Sequence, residues 1–164
     1  MTTMPLAKPI DLSHLELTHI AFFVGSLAND KVLEELKRAG FSGVRQSHGY
    51  LIQHLLNGPR SVGELAGLLG ISQQAVSKSV AELEAVDMLE SVASDDARVR
   101  RVKLSARGER AVRLTRSLRR KIERKLMKRS SSAEIETTRR VLLLALAELG
   151  GTSVVKARRV RPAS

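Results

Sequence analysis

Apolar residues recur at spacings of three and four along most of this 164-residue chain, which is the period of an amphipathic helix. The first such series extends from Leu17 to Leu36. Ser13 and Glu16 precede it with the spacing of a capping box, in which each side chain bonds the backbone N–H of the other residue. This pattern predicts a first long helix that begins near Ser13, with a weak point at Gly25.

The middle of the chain predicts three shorter helices, the last two joined by a tight turn. The first of them covers about residues 47–56 and ends at the sequence NGP. Ser61 and Glu64 form another capping box, Gly70 is a natural left-handed terminator, and Ser72 caps the helix that follows. The side chains expected to face inward are Leu65, Leu68, Val76, Val80 and Leu83. Two short helices joined through Gly-Ile-Ser have the form of a helix-turn-helix.

The charged stretch SDDARVRR lies between two short apolar segments, LESVA and VKLS, which are typical of paired strands. Side chains alternate between the faces of a strand, so Val102 and Leu104 on the core side bring Arg100 to that side as well. A partly buried guanidinium needs a carboxylate, because an unpaired buried charge is costly. Asp96, across the turn, is the nearest candidate. Arg98 has no such duty, so we expect it to point outward from the hairpin tip.

Two long helices are predicted after the hairpin. Ser105 caps the first, which extends to about Lys128, and Ser131 with Glu134 opens the second, which ends at the glycines 150–151. The side chains expected to face inward are Ala111, Leu114, Leu118, Ile122 and Leu126 in the first helix, and Ile135, Leu142, Leu146 and Leu149 in the second.

The positive charge is concentrated in the second half of the chain. The net charge is +11, and residues 1–90 hold 7 Lys/Arg against 10 Asp/Glu, whereas residues 91–164 hold 21 against 7. This asymmetry indicates a polyanionic partner, either nucleic acid or an anionic membrane surface, although a basic helix can also be merely solvated.

Composition narrows the setting of the protein. The absence of cysteine excludes disulfides and thiolate metal sites and favours a reducing compartment. The N-terminus has no basic region ahead of an apolar stretch, so we expect no export signal. The run IAFFVGSLA is far short of the roughly 20 residues that a membrane span needs. We therefore expect a cytoplasmic protein that neither spans nor binds a membrane.

A hairpin that directly follows a helix-turn-helix is the wing of a winged helix. In that arrangement the second helix of the motif enters the major groove of DNA and the wing approaches the minor groove. Subtracting its buried face leaves Gln73, Gln74, Ser77 and Lys78 pointing outward. Gln can pair with adenine and Lys with guanine. The alternative is that these polar side chains only face water.

Two segments of the chain resemble the MarR family of winged helix-turn-helix regulators. They are SVGELAGLLGISQQAVSKSVAELEAVDMLE and SDDARVRRVKLSARG. The second matches the wing pattern of the family at Asp96, Arg98, Arg100, Val102, Leu104, Ser105 and Gly108. Two features depart from the family: Asp87 stands where a glycine is usual before the wing, and the fifth helix is more basic.

The resemblance implies an obligate homodimer that binds pseudo-palindromic operators in double-stranded DNA. It implies that Arg98 inserts into the minor groove and that Asp96 anchors Arg100. The residues assigned to DNA contact are Ser61, Ser72, Gln73, Gln74, Ser77, Lys78, Arg98, Arg101 and Arg107. We expect a transcriptional regulator, a repressor in the favoured reading.

The predicted fold is mainly α with a small β-hairpin wing. Residues 1–46 and 105–150 form a helical dimerisation region, residues 47–104 form the winged helix-turn-helix domain, and residues 151–164 form a basic, disordered tail. We expect no enzymatic activity, cofactor or metal site. The alternative function is a basic helical module that binds an anionic membrane surface or a protein partner.

Other motifs carry less weight. Ser153 and Lys156 have the Ser-x-x-Lys spacing of a nucleophile pair, but the companion motifs are missing and the match is treated as coincidence. The four histidines, His14, His19, His48 and His54, have no metal-site spacing. The helix RLTRSLRRKIERKLMKR is amphipathic and basic, yet it lacks the aromatic anchors of an interfacial helix.

A small-molecule effector is the last expectation, since members of the family often bind aromatic anions between the dimer helices and the DNA-binding lobe. The residues placed nearest such a pocket are Phe22, Phe23, Arg45, His48 and Tyr50. The alternative is that Phe22 and Phe23 belong to a core and that Arg45 is a capping or solvated residue.

Overall fold

The computed structural model describes residues 11–93 and 99–159, which form seven α-helices, a short 3-10 helix at Leu12–His14 and a three-stranded sheet. In chain order the elements are α1 Leu17–Arg38, α2 His48–Leu55, β1 Arg60–Ser61, α3 Val62–Leu69, α4 Gln73–Glu84, β2 Leu89–Val92, β3 Arg101–Leu104, α5 Ala106–Met127, α6 Ser132–Glu148 and α7 Gly151–Ala157. The mainly helical fold with a small hairpin is confirmed.

The start of α1 differs from the prediction. Ser13 lies in the 3-10 helix, where its backbone N–H and its hydroxyl both donate to Asp11 at 2.9 and 2.8 Å. Glu16 occupies the N-cap of α1 and makes no side-chain capping bond. The expected Ser13–Glu16 capping box is therefore wrong, because Ser13 lies inside the 3-10 helix that Asp11 caps and α1 begins only at Leu17. From Leu17 the helix continues unbroken through Gly25.

The other helix caps agree with the sequence. Ser61 with Glu64, and Ser131 with Glu134, form complete capping boxes. Ser72 and Ser105 are N-caps whose hydroxyls each accept a backbone N–H at the start of the helix: that of Ala75 for Ser72 and that of Gly108 for Ser105. Gly70 ends α3 with a φ of 68°.

One inward assignment within the helix-turn-helix is wrong. Leu68 is 39% exposed, whereas Leu69 is 1% exposed. The buried face of α3 consists of Leu65, Ala66 and Leu69, at spacings of one and three, and it packs against α2 and α4. Leu68 lies at the edge of that face.

The sheet joins the wing to the helix-turn-helix. The strand order is β1-β3-β2, with both pairs antiparallel, and Leu89 lies opposite Leu104 in the hairpin. The predicted hairpin strands are confirmed. Strand β1 was not predicted, because a two-residue strand is too short for an alternating pattern to show. Val102 in the central strand is fully buried.

Asp87, which stands where a glycine was expected, adopts a positive φ of 56°. Aspartate tolerates the left-handed region better than most residues with a Cβ, because its short side chain can bond locally. The turn between α4 and β2 therefore keeps its left-handed geometry without glycine.

The buried core lies in the middle of the chain. It contains Val32, Leu36, Leu51, Ile52, Leu55, Leu65, Ala66, Leu69, Val76, Val80, Leu83, Met88, Leu89, Val102 and Ala111. Among the described residues after Ala111, none is fully buried. Leu126, Leu142 and Leu149 were expected to face inward and are 49%, 40% and 76% exposed. Leu142 and Leu149 stay uncovered because α6 packs mainly against the short α7.

The end of the chain is not wholly without structure. Residues 151–157 form α7, so the expected disordered tail is wrong for that segment. Gly150 adopts a φ of 68° and ends α6, as predicted, but it also serves as the N-cap of α7. Arg158 then donates to the backbone oxygen of Gln53 at 3.0 Å, which brings the end of α7 to α2.

The position of Gly108 requires a residue without a side chain. It is buried in the first turn of α5, where a Cβ would lie 2.1 Å from the backbone oxygen of Met88 and 3.2 Å from Leu104 Cδ2. Backbone cannot yield as a flexible side chain can, so only glycine allows α5 to approach the start of the wing this closely.

Gly108→Ala should destabilise the protein by about 1–3 kcal/mol through overpacking, although alanine normally stabilises a helix. Gly67→Ala in α3 is the matched control, because no atom lies within 4 Å of its Cβ position; it should stabilise by up to about 1 kcal/mol. Urea unfolding of the two variants measures both signs. A neutral or stabilising Gly108→Ala would contradict the close contact.

Candidate nucleic-acid interface

Helix α4 presents a polar face to solvent. Its buried side consists of Val76, Val80 and Leu83, which pack into the core. On the opposite side the exposed residues are Gln73, Gln74, Ser77, Lys78 and Ala81. The predicted outward side chains therefore lie together on one helix surface. Two amides, a hydroxyl and an ammonium supply both donors and acceptors, which suits base edges in a major groove.

A shallow depression lies beside this face, between α3 and the start of α4. It is lined by Gly63, Ala66, Gly67, Gly70, Ile71, Ser72, Gln73 and Ala75. Most of these side chains are small, so the backbone of the helix-turn-helix can come close to a partner. A bulky side chain here would hold a DNA backbone away from α4.

Ser61 and Ser72 have structural duties as well as their assigned places at the interface. The Ser61 hydroxyl accepts the Glu64 N–H at 3.1 Å, and the Ser72 hydroxyl accepts the Ala75 N–H at 3.2 Å. Each hydroxyl keeps one proton to donate. Ser72 is the more exposed of the two.

Arg100 contacts the end of α4. Its guanidinium donates to both carboxylate oxygens of Glu84, at 2.6 and 2.5 Å, and its Nε donates to Ser91 Oγ at 3.2 Å. Arg98 and Asp96 lie outside the described residues. The carboxylate that the sequence required for Arg100 is thus supplied by α4 in the described part of the chain. The Arg100 side chain is 59% exposed rather than buried.

Arg101 is held against the turn that precedes α3. Its guanidinium donates to the Pro59 oxygen at 3.1 Å and to Glu64 at 3.5 Å. The side chain remains 38% exposed. Arg101 therefore ties β3 to α3, and only part of its guanidinium faces outward.

Arg107 serves as a clamp between three segments. Its Nε donates to the Val86 oxygen at 3.2 Å, a terminal nitrogen donates to the Gly40 oxygen, and the guanidinium lies 4.8 Å from the centre of the Phe41 ring. These two hydrogen bonds use two of the five N–H donors of the guanidinium. Arg107 therefore has a structural role, and its assignment to DNA contact stays a prediction.

The five residues assigned to a ligand pocket do not form one site: Arg45 and His48 are in contact, whereas Phe22 and Phe23 lie elsewhere. Phe22 and Phe23 contact each other edge to face, with ring centres 5.4 Å apart, and both are more than half exposed. Arg45 lines a cavity of about 100 Å³ between α1, α2 and α5, which also includes Val32, Leu36, Gln46, Ile52 and Arg119. Tyr50 is 41% exposed. Neither phenylalanine lines that cavity.

His48 is the polar residue buried in the core, at 1% exposure. Its Nδ1 accepts the Arg45 backbone N–H at 3.2 Å, so in the neutral ring Nε2 carries the proton and donates to Glu82 at 3.0 Å. The Arg45 side chain also pairs with Glu82. The sequence analysis placed His48 near a ligand pocket and did not predict its burial in the core. Glu82 was missed, because nothing local marks a carboxylate on α4 as the partner of a turn 37 residues earlier.

Residues 11–93 and 99–159 contain neither a metal-binding group nor a membrane-spanning helix. No group of three or more His, Asp or Glu side chains there could hold a metal ion. None of the helices in that part of the chain combines the length and apolar character that a membrane crossing requires.

The Arg100–Glu84 pair makes a prediction about the wing. Arg100→Met should lower the free energy of unfolding by about 0.5–1 kcal/mol, the range for an exposed ion pair of good geometry. A double-mutant cycle with Glu84→Gln should show that most of this loss is shared. Arg110→Met is the control, since Arg110 forms no salt bridge within the described residues. Additive losses in the cycle would exclude the pair.

His48 makes a prediction about acid stability. Burial, followed by the nearby Arg45 charge, lowers the pKa of His48 from its ordinary value of 6.5. The unfolded chain therefore takes up a proton that the folded chain refuses, so the free energy of unfolding should fall as the pH drops below about 6.5. His48→Gln should reduce this dependence and His19→Gln should not. Equal pH profiles for all three proteins would refute the assignment.

Comparison with known proteins shows the fold and a local match to one protein family. Residues 42–98 match the sequence profile of the MarR family. A search of curated proteins with the full sequence gave no match.

Several solved structures share the fold. MepR, a transcription regulator of the Staphylococcus aureus multidrug efflux pump MepA, superposes with a TM-score of 0.64 at 17% identity, over 82% of this chain and 99% of MepR. The S. aureus MepR–DNA complex gives 0.61 at 17% identity, over 82% and 99%. The Thermotoga maritima transcriptional regulator Tm0710 gives 0.56 at 21% identity, over 82% and 91%.

The matched segment covers α2 to the wing. The chain has the winged helix-turn-helix fold of these solved structures, and its residues 42–98 are similar to the MarR family.

Proposed function

We propose that this protein is a transcription regulator that binds a specific DNA sequence through α4. The observation that carries the proposal is the exposed polar face of α4, with Gln73, Gln74, Ser77 and Lys78 on one surface. The buried side of the same helix is fixed in the core, so the polar face has a defined orientation. A rigid helix with this chemistry fits the major groove.

The wing and the turns around the helix supply contacts to the DNA backbone. Arg98 approaches the minor groove in this proposal, and Ser61, Ser72 and the outward part of Arg101 bond phosphates. Support comes from MepR, whose related fold has been solved with DNA. Asp96 and Arg100 keep the wing in place, with Glu84 as a further partner of Arg100.

The protein acts as a homodimer in this proposal. A single chain leaves many large apolar side chains more than a third exposed, and most of them lie on α1, the end of α5, α6 and α7: Leu17, Ile20, Phe22, Phe23, Val24, Leu27, Leu126, Met127, Leu142, Leu143, Leu144, Leu149 and Val155. Monomers rarely expose contiguous apolar surface of this extent. A second copy would cover it.

Light scattering should give twice the chain mass of 18.0 kDa at micromolar concentration. The apolar surfaces provide the physical reason, since their burial drives association. A mass of 18.0 kDa would rule out the two-half-site arrangement.

Repression relieved by a small aromatic or anionic ligand is the regulatory form that we propose. The cavity beside Arg45 offers apolar walls with two guanidinium groups, those of Arg45 and Arg119. Arg45 also pairs with Glu82 on α4. An anion bound at Arg45 would compete with that contact. Phe22 and Phe23 belong more naturally to the dimer surface, since both are exposed on α1.

The membrane alternative is less well supported. An interfacial helix inserts an apolar face into the lipid. The apolar stripe of α5, from Ala111 to Ile122, packs against the protein core instead.

Sequencing genomic DNA fragments that the purified protein retains tests the function directly. Fragments should share a motif of two half-sites about one helical turn apart, near 10 base pairs centre to centre. Retention without a shared motif would contradict specific binding.

Gln74→Ala and Lys78→Ala should each relax the preference at one base position per half-site. A lost bidentate base contact costs on the order of 1–3 kcal/mol. Selection from a randomised operator library measures this preference for each variant. Gln46→Ala is the control, since Gln46 lies away from α4 at the cavity beside Arg45. Unaltered operator choice in both test variants would show that α4 does not read bases.

A further inference from the structure

The part of the chain that carries the recognition helix has little positive charge. Residues 47–93, which include α2 to β2, hold 2 Lys/Arg and 5 Asp/Glu. Residues 106–129, which include α5, hold 11 Lys/Arg and 2 Asp/Glu. Affinity for DNA depends largely on the number of phosphates that cations neutralise. The cations available for phosphates are therefore concentrated outside the base-reading segment.

Four of the α5 arginines form a continuous row, which we call the basic ridge: Arg113, Arg116, Arg120 and Arg124. All four side chains are exposed. Their spacings of three, four and four residues keep them on one side of the helix over roughly 16 Å. The opposite side of α5 holds the apolar residues that pack against the core. The ridge is thus fixed in direction by the packing of its own helix.

The charges of the ridge are poorly compensated within the protein. Arg113 lies 3.4 Å from Glu109. In the described residues no carboxylate forms a salt bridge with Arg116, Arg120 or Arg124. Arg116, Arg120 and Arg124 follow one another at four-residue spacing, at which like charges repel on a helix surface. A row of phosphates would remove this repulsion.

The ridge begins beside the wing. Lys103 of β3 lines one groove with Arg113 and Arg116, and the floor of that groove includes Gly58 and Pro59. Lys103 lies on the exposed side of β3. Lys103 pairs with Glu90 at 3.0 Å and Glu109 also lines the groove, so Arg116 is the ridge residue nearest the wing without a salt bridge in the described residues.

We infer that the basic ridge binds the phosphate backbone of duplex DNA that flanks the operator. The inference rests on the proposed function, because the operator must first be held by α4 and the wing. Over roughly 16 Å one strand of a duplex presents about five phosphates, which matches the four arginines in density. The flanking DNA is the occupant because it is a polyanion already tethered next to the wing.

The test compares two duplexes with the same operator, one of about 20 base pairs holding only the two half-sites, and one of about 40 base pairs. The proteins are the wild-type chain, the R116Q/R120Q variant and the control K37Q/R38Q, which removes the same charge from the end of α1. Glutamine keeps helix propensity close to that of arginine. Affinity is measured over a range of salt concentrations.

For the long duplex, R116Q/R120Q should weaken binding and flatten the log–log salt slope by about 1.8, which corresponds to two lost phosphate contacts. For the short duplex, and for K37Q/R38Q on both duplexes, the slope should match that of the wild-type chain. Hydroxyl-radical footprints of the wild-type chain should extend beyond the half-sites and contract in R116Q/R120Q.

Three outcomes would overturn the inference while leaving the proposed function intact: equal slopes for all proteins on the long duplex, equal losses on both duplexes, or a loss of binding to phosphatidylserine vesicles with DNA binding unchanged. Failure of the wild-type chain to prefer the operator over unrelated DNA would instead refute the proposed function.

Discussion

The contact between the first turn of α5 and the carbonyl of Met88 holds the long helix α5 against the winged helix-turn-helix. Gly108 allows the approach because it has no side chain. The Ser105 hydroxyl donates to the Asp87 oxygen at 2.5 Å, and Arg107 reaches the Val86 and Gly40 oxygens. These bonds form one joint, in which α5 is connected to the turn after α4, to the start of the wing and to the end of α1. The orientation of α4 relative to the long helices depends on this joint.

Much of the fold could be predicted because its signals are local. A capping serine acts on a backbone N–H three residues away, so Ser72 and Ser105 marked their helices correctly. The failures arise where a distant or competing group decides. Asp11 caps a 3-10 helix that contains Ser13, so the α-helix begins four residues later than Ser13 indicated, at Leu17. Leu68 and Leu69 are adjacent and equally apolar, and only the packing of α3 against α2 and α4 selects Leu69 for burial.

The candidate site likewise has a part that local sequence signals predict and a part that depends on distant residues. The outward face of α4 followed from helical period alone. The sequence could not show which arginines have structural partners, because those partners lie far along the chain. Arg100 pairs with a residue 16 positions away, Arg101 with the Pro59 oxygen and Arg107 with the Gly40 oxygen. Charge density identifies a basic region, but only the fold separates a guanidinium used for structure from one left to solvent.

Two carboxylates of the recognition helix connect it to other parts of the protein. Glu82 meets Arg45 and His48 from the segment between α1 and α2, and Glu84 meets Arg100 from the wing. These acids make the base-reading segment net negative, which weakens sequence-independent attraction to phosphates. Through Glu82 and Glu84, residues outside α4 hold its last turn in position. In the proposed function, discrimination between DNA sequences therefore depends on the face of α4, whereas DNA affinity and the position of α4 depend on the arginines around it.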